Sequence, residues 1–236
     1  MIALTVAEIA EAVGGRLVAG SADPDLVVSG EAQTDSREVA PGQIFFARRG
    51  EETDGHLYAG QAVERGAALL VVERELGELP GRAPQIVVDD ATLALGRLAA
   101  DVVRRVRSAG GLTIVGITGS NGKTTTKNLV AAMAERLGPT VASAKSFNNE
   151  VGGPLTMLRV DESTRTLVAE MGASAEGEIA RLTAMAPPHI GVVLSVGLAH
   201  AGEFGGIEAT FRTKSEMVRD LPESAVAVLN RDDPRV

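Results

Sequence analysis

The 236-residue sequence predicts an α/β protein: an N-terminal α/β domain followed by a second domain with a parallel sheet. Three observations carry this. Aliphatic runs of strand length alternate with helical stretches, the pattern of a parallel sheet covered by helices. Aromatic residues make up only 3% of a chain that is 44% hydrophobic, so the core must be built from Val, Leu, Ile and Ala, which suits buried parallel strands. A small, flexible Ser108-Ala109-Gly110-Gly111 stretch separates two different patterns, placing domains at 1–108 and 109–236.

The elements follow in order. Thr5 and Glu8 have capping-box spacing and open a short helix that Gly14-Gly15 closes. Residues 27–29 and 44–47 read as strands, with a polar loop at 33–37 between them. A helix over 56–65 ends at Gly66, and buried strands follow at 68–72 and 86–88. Asp90 caps an amphipathic helix that runs to about Arg107. Beyond the boundary, strands at 113–117, 166–170, 190–196 and 225–229 are interleaved with helices at 123–137, 178–185 and 207–220. The chain reaches Val236 just after a strand and an Asp232-Asp233-Pro234 turn, so the second domain is expected to be truncated.

Composition narrows the functional classes. The net charge of −8 opposes nucleic-acid binding, which needs a basic face to neutralise phosphates. Arg104-Arg105-Val106-Arg107 reads as the exposed end of a helix. There is no cysteine, and residues 1–14 lack the basic start of a signal peptide. No apolar run is long enough to span a bilayer. A monomeric cytoplasmic protein without membrane insertion is the expectation.

The strongest chemical signal is Gly116-Ile117-Thr118-Gly119-Ser120-Asn121-Gly122-Lys123-Thr124-Thr125-Thr126, placed between a strand and a helix. Glycines let backbone N–H groups approach phosphate oxygens, and a helix N-terminus adds partial positive charge. Lys123 is placed to reach β- and γ-phosphates and Thr124 to bind Mg²⁺. The generic pattern wants glycine at position 117, where this chain has Ile117. The loop implies a nucleoside triphosphate but leaves the acceptor of its γ-phosphate open.

This loop resembles that of the Mur ligases and the related folylpolyglutamate synthases. Further likeness lies in Thr34-Asp35-Ser36-Arg37, Asp54-Gly55-His56, the runs 147–156 and 170–179, Val196 to His200, Lys214-Ser215-Glu216 and Asn230 to Asp233. Ser195, Gly153 and the pair Arg48-Arg49 depart from the usual pattern. The resemblance implies an ATP- and Mg²⁺-dependent amide-bond ligase. In particular it is similar to the member that joins D-alanyl-D-alanine to UDP-MurNAc-tripeptide through an acyl phosphate. It implies that Gly119, Ser120, Asn121, Gly122, Lys123, Thr124, Thr125, Asn148, Asn149 and Asn230 bind ATP, and that Thr34, Ser36, Arg37, Asp54 and His56 hold the UDP substrate. It also implies that Thr124, Glu170, His200 and a carbamylated Lys214 serve the metal ions, with Lys123, Lys214 and His200 catalytic. The residues alone also allow plainer roles: turns for the asparagines, a helix cap for Asp54, and a solvated surface lysine for Lys214. A ligase adding the third amino acid, a folylpolyglutamate synthase-like ligase, and a non-catalytic nucleotide-binding fragment are the alternatives.

Overall fold

The computed structural model describes residues 1–20, 23–50, 53–77, 79–81, 83–143, 147–197 and 206–236. It divides into two compact units, Met1–Val102 and Val103–Val236. The division falls inside one long helix, Ala91–Ala109.

The first unit begins with β1 (Leu4–Thr5), α1 (Val6–Val13), β2 (Arg16–Leu17), β3 (Val27–Val28), β4 (Ala32–Gln33) and β5 (Ile44–Phe46). A 3₁₀ turn (Gly55–Tyr58) leads into α2 (Ala59–Glu64), β6 (Leu69–Val72), β7 (Gln85–Val87) and the start of α3 (Ala91–Ala109). Thr5 and Glu8 form the expected reciprocal cap of α1, and Gly14 ends that helix in the left-handed region at φ 69°. A five-stranded sheet has the order β2-β7-β6-β5-β4, parallel except for the antiparallel edge strand β2. All residues of β5 and β6 are buried, so these strands read as continuous apolar runs. The single helix expected over 56–65 is split, because Asp54 caps His56 and tightens the first turn into 3₁₀ geometry.

The second unit holds β8 (Thr113–Thr118), α4 (Lys123–Ala134), β9 (Thr140–Ala142), α5 (Gly152–Met157), β10 (Thr166–Glu170), α6 (Glu178–Met185), β11 (Ile190–Val193), α7 (Ile207–Arg219) and β12 (Val226–Leu229). Its sheet is wholly parallel, in the order β12-β11-β8-β10-β9. The first strand of the unit therefore lies at the centre. From it the chain passes to the edge strand β9, returns to β10 beside β8, and then crosses to β11 and β12 on the other side, leaving a switch point at the C-terminal end of β8.

Alternation along β8 sorts its side chains. Val115 and Ile117 pack with Ala131 of α4 on one face. Gly116 lies on the other, where a Cβ would meet Pro188 Cγ at 2.9 Å and Met217 Cε at 3.2 Å. The missing side chain is what lets α7 press onto the sheet. Among the described residues, no helix is long and apolar enough to cross a membrane.

At the entrance of β11, His189 Nδ1 accepts the Ile114 N–H at 3.0 Å. Burial, and then Arg107, lowers the imidazole pKa from its ordinary 6.5. A lowered histidine pKa means the unfolded chain binds more protons than the folded one, so the stabilisation is present above pH 6.5 and is lost as pH falls below it. Thermal melts between pH 8 and pH 5 should show that loss. His189→Gln, which keeps an acceptor but does not titrate, should flatten it.

Candidate active site

The site grows out of the end of β8. Ile117 stays within the strand, fully buried, so the turn is shorter than the generic phosphate loop and starts at Gly119. Gly119 has φ 150°, and a Cβ there would lie 2.9 Å from Leu194 Cβ and 3.1 Å from Ser195 N. Gly122 has φ 82° and caps α4 with no side-chain bond to its first turn. The first backbone N–H groups of a helix have no partner within it, and here they open at the strand edge where the dipole favours an anion.

The loop is held by the segment after β11. Ser120 N–H donates to Ser195 O at 2.9 Å, and Asn121 N–H to Ser195 Oγ at 3.2 Å. Gly197 N–H donates to Ser120 Oγ at 2.8 Å, and Val196 N–H to Asp233 Oδ2 at 2.8 Å. Ser120 and Asn121 thus spend their amides on this strap. The amides left without such a bond are those of the first turn of α4.

Lys123, Thr124, Asn148 and Glu170 meet in one cleft of about 460 Å³, which Ser120, Asn121, Gly122 and Thr125 also line. Thr124 Oγ1 donates to Glu170 Oε2 at 3.0 Å, and Asn148 Nδ2 donates to Glu170 Oε1 at 2.7 Å. Lys123 Nζ donates to Gly119 O at 2.7 Å. Burial lowers its pKa, against the opposing pull of Glu170. Hard oxygens from Thr124 and a buried carboxylate fit Mg²⁺, which takes one or two carboxylates and fills its shell with phosphate oxygens and water. No group of three or more His, Asp or Glu among the described residues could hold a metal alone.

Lys214 is buried at 4% exposure, unlike a solvated surface lysine. Its pKa falls to about 8, first through burial, then through Lys123, with Glu216 and Glu178 opposing. Thr118, buried at the foot of the loop, has a hydroxyl without a hydrogen-bond partner among the described residues.

Other expected residues fall elsewhere. Asn149 Oδ1 accepts the Gly152 and Val151 N–H groups and shapes the entry to α5. Asn230 bonds Leu194 O and the Asp232 N–H, holding a turn. His200 lies outside the described residues. Glu216 carried no assigned role in the sequence reading, yet its buried carboxylate accepts Gly177 N–H at 2.6 Å and Ala180 N–H at 2.9 Å. It caps α6 from a neighbouring helix, and no local spacing announces a partner 36 or more residues away.

In the first unit, Thr34, Ser36 and Arg37 line a second cleft of about 700 Å³ with Arg48, Tyr58 and Gln61. Ser36 Oγ donates to Gln61 Oε1 at 2.6 Å. The Arg37 guanidinium closes on Asp35, with Nε–Oδ1 at 2.9 Å and Nη2–Oδ2 at 2.6 Å. Asp54 and His56 support the wall. The His56 side chain is wholly buried, its Nδ1 bonded to Asp54 Oδ1 at 2.5 Å and its Nε2 accepting Glu73 N–H at 2.8 Å. That holds Gly55 and Leu57, which line the cleft. Gln61 follows Tyr58 by one helical turn, a same-face spacing that could have flagged it.

The second unit is a parallel α/β domain with a glycine-rich strand-to-helix turn at its switch point, and comparison with known proteins gives the family. Residues 117–236 match the Mur ligase middle domain, and residues 31–102 match the Mur ligase family catalytic domain. The chain belongs to the Mur ligase family. It is 46% identical over its whole length to the UDP-N-acetylmuramoyl-tripeptide--D-alanyl-D-alanine ligase of Mycobacterium leprae, covering 49% of that protein. A crystal structure of MurF from Acinetobacter baumannii superposes with a TM-score of 0.88 at 33% identity, over 98% of this chain and 49% of that one. MurF from Thermotoga maritima, solved in complex with ADP, gives 0.76 at 34% identity, over 87% of this chain and 47% of that one. The chain spans about half the length of the relatives it matches.

Glu216→Ala should leave two N–H groups at the start of α6 unpaired and cost about 1.5–3 kcal/mol, the range for bonds to a charged acceptor. Chemical denaturation measures this. Glu216→Gln, which keeps one acceptor oxygen, should recover part of it.

Proposed function

We propose that this chain carries the ATP and UDP-substrate sites of a ligase that adds D-alanyl-D-alanine to UDP-MurNAc-tripeptide in the cytoplasm. The observation that carries the reading is the convergence of Lys123, Thr124, Asn148 and Glu170 at the mouth of an uncapped helix. The 46% identity to a protein named for that reaction supports the substrate.

The chemistry follows from the poor electrophilicity of a carboxylate. The terminal carboxylate of the tripeptide attacks the γ-phosphorus of ATP; a P–O bond forms and ADP leaves. The amine of D-alanyl-D-alanine then attacks the acyl carbon. A C–N bond forms, the C–O bond to phosphate breaks, and the amine gives up a proton. The backbone N–H groups at the head of α4 cradle the phosphates, and Lys123 releases Gly119 O to meet the charge developing on the transferred group. Thr124 and Glu170 would hold Mg²⁺, which supplies neutralisation of phosphate charge. Asn148 keeps Glu170 oriented. His200 and Lys214 complete the set by resemblance, Lys214 as a carbamate. Ser36, Thr34 and Arg37 line the cleft assigned to the UDP portion.

Calorimetric titration of the folded chain tests the reading. Saturable one-to-one binding of UDP-MurNAc-tripeptide and, separately, of Mg-ATP is expected. Lys123→Ala should weaken the nucleotide at least about tenfold, as for loss of a charge-assisted phosphate contact, and leave the UDP substrate unaffected. A folded chain that binds neither overturns the proposal. Tighter binding of the dipeptide-linked nucleotide than of the tripeptide form would move the assignment to the ligase that adds the third residue.

The free amine of Lys214 becomes populated through about pH 8. With ¹³C-bicarbonate, a carbamate resonance should therefore grow between pH 7 and pH 8.5 and be absent in Lys214→Arg.

A further inference from the structure

The cleft of the first unit presents two guanidinium groups, and they differ in what they already hold. Arg37 is closed on Asp35 through both a near and a terminal nitrogen, and its side chain is 79% exposed. Arg49 turns to Glu73 at 3.3 Å. Arg48 lies between these two pairs in chain order and lines the cleft. Its Nε reaches only the Thr92 hydroxyl, at 3.4 Å, and no carboxylate of the described residues pairs with it. Its backbone is fixed, because Gly55 N–H donates to Arg48 O at 2.9 Å and a Cβ on Gly55 would lie 2.7 Å from that oxygen.

A phosphate competing for Arg37 must first displace a bidentate carboxylate. A phosphate meeting Arg48 displaces one long bond to a neutral hydroxyl. Less existing bonding is given up at the second guanidinium, and no described carboxylate compensates its charge before the ligand arrives. We infer that Arg48 makes the principal phosphate contact of the UDP-linked substrate, and that the Arg37–Asp35 pair forms an edge of the cleft. This rests on the assignment of that cleft to the UDP portion.

The test is calorimetric titration of UDP and of UDP-MurNAc-tripeptide into the wild-type chain, Arg48→Met, Arg48→Lys and Arg37→Ala, each shown folded by its thermal melt. Arg48→Met should weaken UDP about tenfold or more and flatten the salt dependence of binding. Arg48→Lys should recover part of the affinity, since the charge returns without the planar fork. Arg37→Ala should cost less than about threefold, as expected for an exposed guanidinium already paired. Wild-type binding with Arg48→Met within about twofold of it overturns this inference alone, as does a larger loss from Arg37→Ala. An equal loss with uridine as the probe overturns the phosphate assignment. A wild-type chain that binds neither ligand overturns the underlying reading of the cleft.

Discussion

The second unit depends on how the chain leaves β8. At Gly119 the backbone must turn within contact of Leu194 and Ser195, and only a residue without a Cβ fits at φ 150°. The turn is then tied to the neighbouring strand end by amides of Ser120 and Asn121. The helix that follows is thereby aimed with its N-terminus at the switch point, and its first amides remain available. The loop's other groups are satisfied elsewhere, and this is what would leave those amides to a phosphate. Ser195 takes part with both its carbonyl and its hydroxyl, so its departure from the family pattern keeps a working acceptor.

Around the start of α4, burial and charge act against one another. Lys123 and Lys214 are both drawn below the ordinary lysine range by burial, and Lys123 lowers Lys214 further. Glu170 and Glu216 restrain the two shifts, yet each carboxylate is also committed by hydrogen bonds. Glu170 is oriented by Thr124 and Asn148, while Glu216 caps α6. A buried amine with a pKa near 8 is chemically useful because its neutral form is accessible near physiological pH. The same lysine on a solvated face would stay charged.

The cleft of the first unit follows a related logic with different groups. Asp54 and His56 look like ligand contacts as a sequence motif, but their bonds run to the backbone of Glu73, to the Arg74 guanidinium and to one another. They set the position of the wall, and the side chains lining the space include Thr34, Ser36, Arg37, Arg48, Tyr58 and Gln61.

Much of this was legible in the order of residues. Strand and helix periodicity located β10 and α6 to the residue, and the glycine spacing located the turn between β8 and α4, because both signals are local. The sequence reading missed the short strands β1, β2, β4 and β9, since two or three residues carry no period and their pairing partners lie far along the chain, and it missed α5, whose six residues begin Gly152-Gly153-Pro154 and give no helical signal. The sequence by itself determined the α/β class and the family, and it named candidate residues for touching a phosphate. Tertiary structure decided which polar groups are free to do so: it bound Arg37 to Asp35, turned Asn149 and Asn230 into turn formers, and buried Lys214. Hydrogen-bond capacity is used up by neighbours that only folding brings together, so availability for a ligand cannot be read from residue type and spacing.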